Sequence, residues 1–465
     1  MTGMKNEVID DFKSTLRGQM FQPNDSGYED ARQIWNAMID RRPAMIVRCA
    51  GAADVMRCVA FARDHDVPLA VRGGGHNIAG NAVCDGGLVI DVSAMKAVCV
   101  DPEERRAHVE GGATLADFDH EAQAYGLATP LGINSTTGVA GLTLGGGFGW
   151  LSRKYGLTVD NLISAEIITA DAKRLCVSAT AHPDLFWAIR GGGGNFGVVT
   201  RFEFQLHPVG PEIFSGLIVY PFEQARQVLT QYQAFVNQMP DDLSVWAVLR
   251  QAPPLPFLPA EVHGRNVVVL PIFSTMGMED ARRAVEPLRS FGQPYGEHMG
   301  ATPYAAWQQA FDPLLTAGAR NYWKSHNFAS LNEGAIDTVI EYAGKLPDPQ
   351  CDIFLGLIGG EANRAAPDAT AYPHRNVLYA MNVHARWTEP SKDSACIAWA
   401  REFFAAAAPH AAGSVYINFM TQDEGERIGE AYGRNFERLM RVKNEYDPQN
   451  LFRQNQNIKP SVRAA

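Results

Sequence analysis

The sequence predicts a two-domain α+β protein. Its 465 residues exceed the length at which a single hydrophobic core usually stops growing, and the 46% of hydrophobic residues can fill two cores. Helical and extended patterns alternate over residues 29–210, whereas longer extended runs alternate with helical segments from there to about residue 410. Turn-forming residues cluster at 207–211, where glycine becomes less frequent. We therefore expect a first domain at 1–210, a second at 211–410 and a closing segment at 411–465.

Short strands and an amphipathic helix are predicted in the first domain. Val55, Val59 and Ala62 fall on one face of a helix, and the apolar runs 67–71 and 88–92 are bounded by glycines, as strands often are. The glycine-rich segment 145–149 has no clear strand before it and no acidic residue at the usual ribose-binding position. It therefore does not predict a dinucleotide-binding Rossmann unit.

The second domain is predicted to contain an antiparallel sheet backed by helices. Its extended apolar runs are residues 243–249, 266–273, 352–358 and 377–387, and its helical patterns are 223–239 and 335–344. The closing segment is predicted to return to the first domain, because it carries an apolar helical stripe that stops at Asp447-Pro448. The residues of that stripe are Ile428, Tyr432, Phe436, Leu439 and Val442.

Composition and charge favour small-molecule chemistry. The formal charge of −10 and the pI near 5.7 argue against nucleic acid or an anionic membrane as the main partner, since either favours a basic face. Residues 1–11 contain no long apolar stretch, so neither a signal peptide nor a membrane span is predicted. The seven cysteines lack CxxC spacing, which predicts reduced thiols in a cytoplasmic protein and no zinc or iron–sulfur site. The sequence indicates no oligomeric state.

Three glycine-rich motifs carry most of the functional information. The first, residues 72–77, reads RGGGHN and follows a predicted strand. Its glycines let backbone N–H groups turn toward an anion, so it is a candidate diphosphate site with an imidazole beside it, although a turn with a structural histidine has the same pattern. The second motif reads GVAGLTLGGGFGW at 138–150, and the third reads DLFWAIRGGGGNFGVVT at 184–200. No lysine followed by serine or threonine closes a glycine loop, which excludes a phosphate-loop hydrolase.

In this order, and with YIN at residues 416–418 and YDPQNLFR at 446–453, these motifs resemble the PCMH-type FAD-binding domain of the vanillyl-alcohol-oxidase superfamily. Within it they resemble the branch of berberine-bridge-like enzymes and 6-hydroxynicotine oxidases. The resemblance covers both ends of the chain and leaves the middle poorly matched. It implies a PCMH-type FAD-binding domain, completed by a berberine-bridge-like segment at 411–465, and a substrate domain whose sheet lies over the flavin ring.

The resemblance also implies which residues bind FAD. They are Arg72, Gly73, Gly74, Gly75, His76, Asn77, Gly80, Thr136, Thr137, Gly138, Gly141, Leu142, Gly145, Gly146, Gly147, Gly149, Tyr155, Asn161, Val198, Val199, Tyr416, Asn418 and Asn455.

A covalent link to the flavin is implied as well. In the resembling family a histidine at the position of His76 is bonded to the 8α carbon of the flavin. Many members attach the flavin a second time, through a cysteine four residues before the glycine that Gly138 matches. Asn134 stands there in this chain, so attachment through His76 alone is predicted. Thr137 occupies the position that faces the oxygen side of the flavin, where valine accompanies oxidases, and its valine-like shape favours an oxidase.

Hydride transfer from a carbon that bears OH or NH needs a base for the heteroatom proton. Tyr416 and Asn418 lie two apart on a predicted strand, hence on one face, and match the Tyr-x-Asn that borders the active site in the family. Asn382 and His384 share one face of the strand that ends at Trp387. Tyr416 is the predicted base, with Asn382 and His384 as its support or its alternative. By pattern alone, Tyr416 also fits an ordinary strand tyrosine and His384 a solvent-facing histidine.

Residues and resemblance together predict an FAD-dependent oxidase. It would remove a hydride from a small organic substrate, namely an alcohol, sugar, amine or secondary-metabolite intermediate, and reduce molecular oxygen to hydrogen peroxide. One alternative is a flavin-dependent dehydrogenase that uses another electron acceptor. A second is a flavin- or ligand-binding protein without turnover. No metal is predicted, because the histidines and cysteines show no ligand spacing.

Overall fold

Three β-sheets and a separate two-stranded pair organise the structure, a computed structural model that describes residues 5–461. Two smaller sheets come from the N-terminal part of the chain, and one large sheet comes from the middle. The described chain mixes helices and strands in every region, which confirms the predicted α+β class.

The first sheet is built from β1 Gln19–Phe21, β2 Met45–Arg48, β3 Leu69–Arg72 and β4 Leu88–Asp91. Its order is β1-β2-β4-β3, with the last three parallel and β1 antiparallel to β2. The helices of this region are α1 Asn6–Ser14, α2 Tyr28–Arg32 and α3 Ala52–Asp64. As predicted, α3 buries Val55, Val59 and Ala62. The strand predicted from residue 67 begins at Leu69, after Pro68, which has no N–H to donate to a ladder.

The second sheet is antiparallel. Its strands are β5 Val98–Asp101, β6 Arg106–Glu110, β8 Leu162–Ile168, β9 Arg174–Ser178 and β10 Val198–Gln205, and a separate pair joins β7 Leu127–Ala128 to β11 His207–Pro208. The neighbouring helices are α4 Leu115–Gln123, α5 Val139–Leu144, α6 Ser152–Tyr155 and α7 Pro183–Ile189. Because a helix, α5, precedes residues 145–149, this glycine segment is not part of a strand–turn–helix Rossmann unit.

The large sheet is antiparallel and comes from the middle of the chain. Its strands are β12 Glu212–Pro221, β13 Leu243–Val245, β14 Ala247–Gln251, β15 Asn266–Ser274, β16 Gly296–Pro303, β17 Arg320–Phe328, β18 Asp352–Leu357 and β19 Tyr379–Trp387. The order is β16-β12-β15-β14-β18-β19-β17, with β13 also paired to β15. The run predicted as one strand at 243–249 is therefore two strands, separated at Trp246.

The two faces of the large sheet have different roles. The middle helices are α8 Ala225–Val236, α9 Met278–Val285, α10 Tyr304–Gln308, α11 Glu333–Ala343, α12 Glu361–Arg364 and α13 Asp393–Ala407. α13 packs on β17 and β19, and α8 packs on β12 and β15. Along β19, Met381, Val383 and Ala385 enter this helix-covered core, whereas Asn382 and His384 face the other way, into a cavity. The predicted sheet backed by helices is confirmed.

The C-terminal segment packs on the N-terminal part of the chain, but its helix is broken. α14 Ile428–Tyr432 and α15 Phe436–Tyr446 are separated at Gly433, whose φ is 46°. The single continuous stripe predicted there is therefore wrong, although all five of its side chains contact one core with residues of β10 and α7. Lys443 then fixes the end of α15: its ammonium donates to Asp447 at 2.6 Å and to the Asn195 carbonyl at 2.8 Å.

Membrane insertion through a helix finds no support in the described residues. None of the helices between residues 5 and 461 combines the length and the apolar character that crossing a bilayer requires.

Candidate functional site

A cavity of about 450 Å³ lies between the glycine turns of the N-terminal part and the open face of the large sheet. One wall consists of residues 73–77 with parts of the glycine motifs at 138–145 and 193–199. The sheet wall is Leu217, Trp246, Val248, Arg250, Val269, Trp323, Asp352, Phe354, Asn382 and His384. The 3-10 turn Ile417–Phe419 closes the gap between the two walls. Segments far apart in sequence therefore share one site.

The glycine turn at residues 73–77 can hold an anion. The backbone N–H groups of residues 74–77 donate no hydrogen bond to the part of the chain that the structure describes. The turn also lies directly against the second motif, since a Cβ atom on Gly74 would come within 2.4 Å of the Gly138 nitrogen. Free, converging N–H groups without side chains fit a diphosphate such as that of FAD.

His76 has a defined tautomer. Its Nε2 lies 2.8 Å from the Thr136 hydroxyl, which itself donates to Asn134 Oδ1 at 2.7 Å. The Thr136 N–H also donates to that Oδ1, and Asn134 Nδ2 donates to the Leu315 carbonyl, so the orientation of the amide is fixed. Since the threonine proton is directed to Asn134, the hydroxyl accepts from His76 Nε2–H, and Nδ1 keeps its lone pair.

The imidazole of His76 is also neutral. Burial lowers the pKa of His76 to about 4, so the ring carries no charge at neutral pH. Trp35 stacks on it with 5.1 Å between ring centroids, which limits its rotation. A neutral, oriented imidazole with one free nitrogen can act as a nucleophile.

Tyr416 and Asn418 border the cavity, but the strand predicted for them is wrong: they lie in and beside the 3-10 turn. This turn still brings the side chains together, because Asn418 Nδ2 donates to the Tyr416 hydroxyl at 3.0 Å. The Gly147 N–H donates to the same oxygen at 3.1 Å. Burial raises the pKa of Tyr416 to about 12, although both donors lower it. The phenol therefore keeps its proton at neutral pH.

Four side chains form a row across adjacent strands of the large sheet. The strand register sets Arg250 opposite Asp352, Asp352 opposite His384, and His384 opposite Trp323. Asp352 Oδ1 lies 3.3 Å from His384 Nδ1, and Asp352 Oδ2 lies 3.7 Å from an Arg250 guanidinium nitrogen. His384 is 5% exposed and lines the cavity, so it does not face bulk solvent.

Most of the predicted cofactor residues line the cavity, as do all four predicted catalytic residues. The predicted residues outside its wall are Arg72, Gly80, Thr136, Gly146, Gly147, Gly149, Tyr155 and Asn161. Several of these residues make contacts behind the residues that line the cavity. Arg72 binds the buried Asp91 at 2.5 Å. Tyr155 stacks on His207 at 3.9 Å, and Asn161 donates to the Tyr155 carbonyl.

Sequence reasoning missed several residues of the wall, notably Trp35, Arg250, Trp323 and Asp352. Arg250 and Asp352 did carry a signal, because each is a charged residue at the end of a strand whose other residues are mostly apolar. No group of His, Cys, Asp and Glu side chains within residues 5–461 is arranged to bind a metal ion.

The free N–H groups of the glycine turn can hold a diphosphate beside the imidazole of His76, and this arrangement fits a flavin-dependent oxidoreductase. Comparison with known proteins gives the family. Residues 43–178 match the FAD binding domain family, and residues 415–459 match the berberine and berberine like family. The chain is 32% identical over 460 residues to an FAD-linked oxidoreductase of Bacillus subtilis, covering 97% of this chain and 99% of the relative. The chain therefore belongs to the FAD-linked oxidoreductases with a berberine-like C-terminal segment.

Other relatives agree with this assignment. The (R)-6-hydroxynicotine oxidase of Paenarthrobacter nicotinovorans is 30% identical over 458 residues, which cover 96% of this chain and 97% of that protein. The crystal structure of 6-hydroxy-D-nicotine oxidase from Arthrobacter nicotinovorans aligns with a TM-score of 0.86 at 29% identity, covering 96% of this chain and 98% of that one. A berberine-bridge-like protein of Arabidopsis thaliana shares the fold with a TM-score of 0.86 at 24% identity, over 97% and 100% of the two chains.

Proposed function

We propose that the protein is an FAD-dependent oxidase that carries its flavin on His76 and oxidises a small, largely apolar organic molecule. The observation that carries this proposal is the continuity of one cavity from the glycine turn and His76 to the polar row on the large sheet. Bound FAD would accept a hydride from the substrate and pass two electrons to oxygen, giving hydrogen peroxide. The residues of this chain would bind the cofactor, orient the substrate and take up its proton.

The hydrogen bonds of His76 support a single covalent link. With Nε2–H directed to Thr136, the Nδ1 lone pair is the nucleophile available to the flavin. Asn134 occupies the position of the second attachment cysteine in the resembling enzymes, and here it orients Thr136 instead. None of the seven cysteines lines the cavity in the described chain. These contacts support attachment through His76 alone.

The walls of the cavity favour an apolar, aromatic substrate over a sugar. Trp246, Phe354 and Trp323 dominate the sheet side, and Phe148 of the second glycine motif packs near Trp246. A sugar, by contrast, needs many converging polar groups to replace its hydration. On the sheet wall the polar side chains are Arg250, Asp352, Asn382 and His384, and Tyr416 and Asn418 lie in the turn that closes the gap beside them. A molecule with an aromatic body and one OH or NH at the oxidised carbon fits this distribution. The relative named (R)-6-hydroxynicotine oxidase is consistent with such a substrate.

Flavin attachment is tested by acid precipitation of the purified protein followed by peptide mapping. The washed precipitate should stay yellow, and the flavin should be found on one peptide that contains His76. His76→Ala should release its flavin on denaturation, while His120→Ala, which changes an exposed histidine on α4, should retain it. Flavin on a cysteine peptide, or released freely from the wild type, would contradict the single link.

Turnover is tested by anaerobic bleaching of the flavin absorbance with a panel of probes. We expect (R)-6-hydroxynicotine, benzyl alcohol or benzylamine to bleach it, and xylobiose and chitobiose to leave it oxidised. Bleaching by the saccharides alone would contradict the proposed substrate class but not the oxidoreductase. A wild-type flavin that none of the probes reduces would favour a binding protein without turnover.

A further inference from the structure

We propose that His384 is the group that takes the substrate's proton, and that Asp352 is a positioning residue that holds His384 in the tautomer with Nδ1–H. This inference rests on the proposed oxidase function and names the proton acceptor for it. In this proposal Tyr416 is not the base. Its hydroxyl oxygen borders the cavity and accepts two hydrogen bonds.

The strand register places Asp352 where it can orient His384. β18 and β19 are antiparallel neighbours, and Asp352 is paired directly with His384, so their side chains leave the same face next to each other. Both residues are buried, with 6% and 5% exposed. On the far side, an Arg250 guanidinium nitrogen lies 3.7 Å from the second carboxyl oxygen of Asp352, so the carboxyl group stands between a cation and the imidazole.

The direction of the Asp352–His384 hydrogen bond follows from its chemistry. An ionised carboxylate only accepts, so His384 Nδ1 must carry the hydrogen. In a neutral imidazole this leaves a lone pair on Nε2. Nε2 is buried and has no hydrogen-bond partner in the described part of the chain, and the residue lines the cavity. A buried acceptor without a partner, on a residue that lines the cavity, is the group that a substrate OH or NH would satisfy.

Trp323 limits the motion of the imidazole. Its ring meets His384 edge to face, with centroids 4.7 Å apart. Trp323 lies on β17 and is paired directly with His384 of β19. The ring is therefore fixed by Asp352 on one neighbouring strand and by Trp323 on the other. On the sheet face that His384 shares, the charged side chains nearby are Asp352, Arg250 and, two residues along its own strand, Arg386. The charged residues of β17, Arg320 and Lys324, alternate with Trp323 and lie on the opposite face.

Tyr416 is the weaker acceptor. Its oxygen already receives hydrogen bonds from Asn418 and from the Gly147 N–H, and its pKa is raised to about 12. At neutral pH only about one phenol in 10⁵ is ionised at such a pKa. A neutral imidazole needs no prior ionisation to accept a proton.

Two bonds of the substrate break in the proposed step. The C–H bond of the substrate breaks and its hydrogen leaves with both electrons to the flavin, which is reduced. The substrate O–H or N–H bond breaks as its proton passes to His384 Nε2. The electron pair of that bond forms the C=O or C=N double bond of the product. The imidazolium then returns its proton to solvent, and Asp352 stabilises its charge in the meantime.

The tautomer is tested without any substrate, by NMR of the holoprotein labelled with ¹⁵N-histidine. His384 is assigned as the resonance pair that disappears in His384→Gln. We expect a protonated Nδ1 and an unprotonated Nε2 at neutral pH, and a shift of the proton toward Nε2 in Asp352→Asn, because an amide can donate to Nδ1. A wild-type His384 that carries its proton on Nε2, or on both nitrogens, would overturn the proposal.

The role in catalysis is tested by anaerobic flavin reduction with whichever probe bleaches the wild type. His384→Gln and Asp352→Asn should slow reduction about 10²–10⁴-fold, the usual range for loss of a general base, and keep normal flavin attachment. Asp348→Asn is the matched control, a 5% exposed carboxylate that binds Lys392 outside the cavity, and it should reduce at the wild-type rate.

The NMR and flavin-reduction experiments distinguish failure of the base assignment from failure of the proposed oxidase function. Wild-type rates in His384→Gln and Asp352→Asn would overturn the assignment of the base, and so would equal slowing in the control. Failure of all the probes to bleach the wild type would overturn the proposed function, and the NMR result would still decide the tautomer.

Discussion

Asp119 is a buried carboxyl whose ionisation the fold opposes. It lies on α4 and is 1% exposed. One of its oxygens accepts a hydrogen bond from Gln308 Nε2 at 3.3 Å, and the other has no partner among residues 5–461. Burial raises the pKa of Asp119 to about 7, although the Gln308 hydrogen bond lowers it. We therefore predict that Asp119→Asn stabilises the protein at and above neutral pH.

The size of this stabilisation follows from the pKa of Asp119 in the unfolded and in the folded protein. In the unfolded chain the Asp119 carboxyl has its ordinary pKa of 3.8, so between about pH 4 and pH 7 the folded state holds a proton that the unfolded state has lost. The free energy of unfolding then falls by about 1.4 kcal/mol per pH unit, or about 4 kcal/mol over the whole window. Asparagine has no proton to lose, so the variant should match the wild type near pH 4 and exceed it by up to about 4 kcal/mol above pH 7.

Urea unfolding at a series of pH values from about pH 5 to about pH 8 measures this difference. Asp117→Asn on the same helix is the control. Burial raises the pKa of Asp117, but hydrogen bonds from Thr114 and the nearby Lys96 outweigh it and lower the pKa overall. That carboxylate stabilises the fold above its ordinary pKa and loses this effect as pH falls, so its replacement should destabilise the protein. A difference between Asp119→Asn and the wild type that does not change with pH would show that Asp119 does not hold a proton in the folded state.

Three further predictions concern the Lys443–Asp447 ion pair at the end of α15, the covalent flavin link at His76 and the hydroxyl of Tyr416. Lys443→Met should lower the free energy of unfolding by about 3–5 kcal/mol, because it leaves the buried Asp447 carboxylate without its cation. A loss below about 1 kcal/mol in urea unfolding would show that this ion pair does not hold the C-terminal segment in place. Thr136→Val should reduce the flavin fluorescence of the denatured protein band, because His76 loses its acceptor, while Thr136→Ser should restore it; equal fluorescence in both variants would count against this network. Tyr416→Phe should slow anaerobic flavin reduction by less than about 10²-fold, and a larger loss with intact flavin attachment would return the role of base to the tyrosine.

Local patterns were sufficient to predict the glycine turns and the first strands. The run of glycines before His76 indicates a backbone that turns close to a ligand, and this property depends on adjacent residues only. Strand alternation likewise placed Asn382 and His384 on one face, and the structure confirms that shared face. The break at Gly433 and the 3-10 turn at Ile417–Phe419 were not predicted. The spacing of apolar residues around Gly433 stays helical and that around Tyr416 stays extended, so the sequence pattern does not show either interruption.

The row on the large sheet could not be predicted from local patterns. Arg250, Asp352 and His384 are more than thirty residues apart in every pairing, and they meet only because β14, β18 and β19 adopt one register. A shift of one residue on β18 would turn Asp352 into the helix-covered core. The tautomers of His76 and His384 depend in the same way on partners, such as Thr136, that are distant in sequence.

The proposed oxidase removes two electrons from an organic substrate and passes them to oxygen. The most direct measurement is anaerobic reduction of the bound flavin by a bleaching probe, followed by admission of oxygen with simultaneous recording of flavin absorbance and peroxide. We expect rapid return of the yellow flavin, with one hydrogen peroxide formed for each flavin reoxidised. A reduced flavin that persists in air and is reoxidised only by another electron acceptor would contradict it.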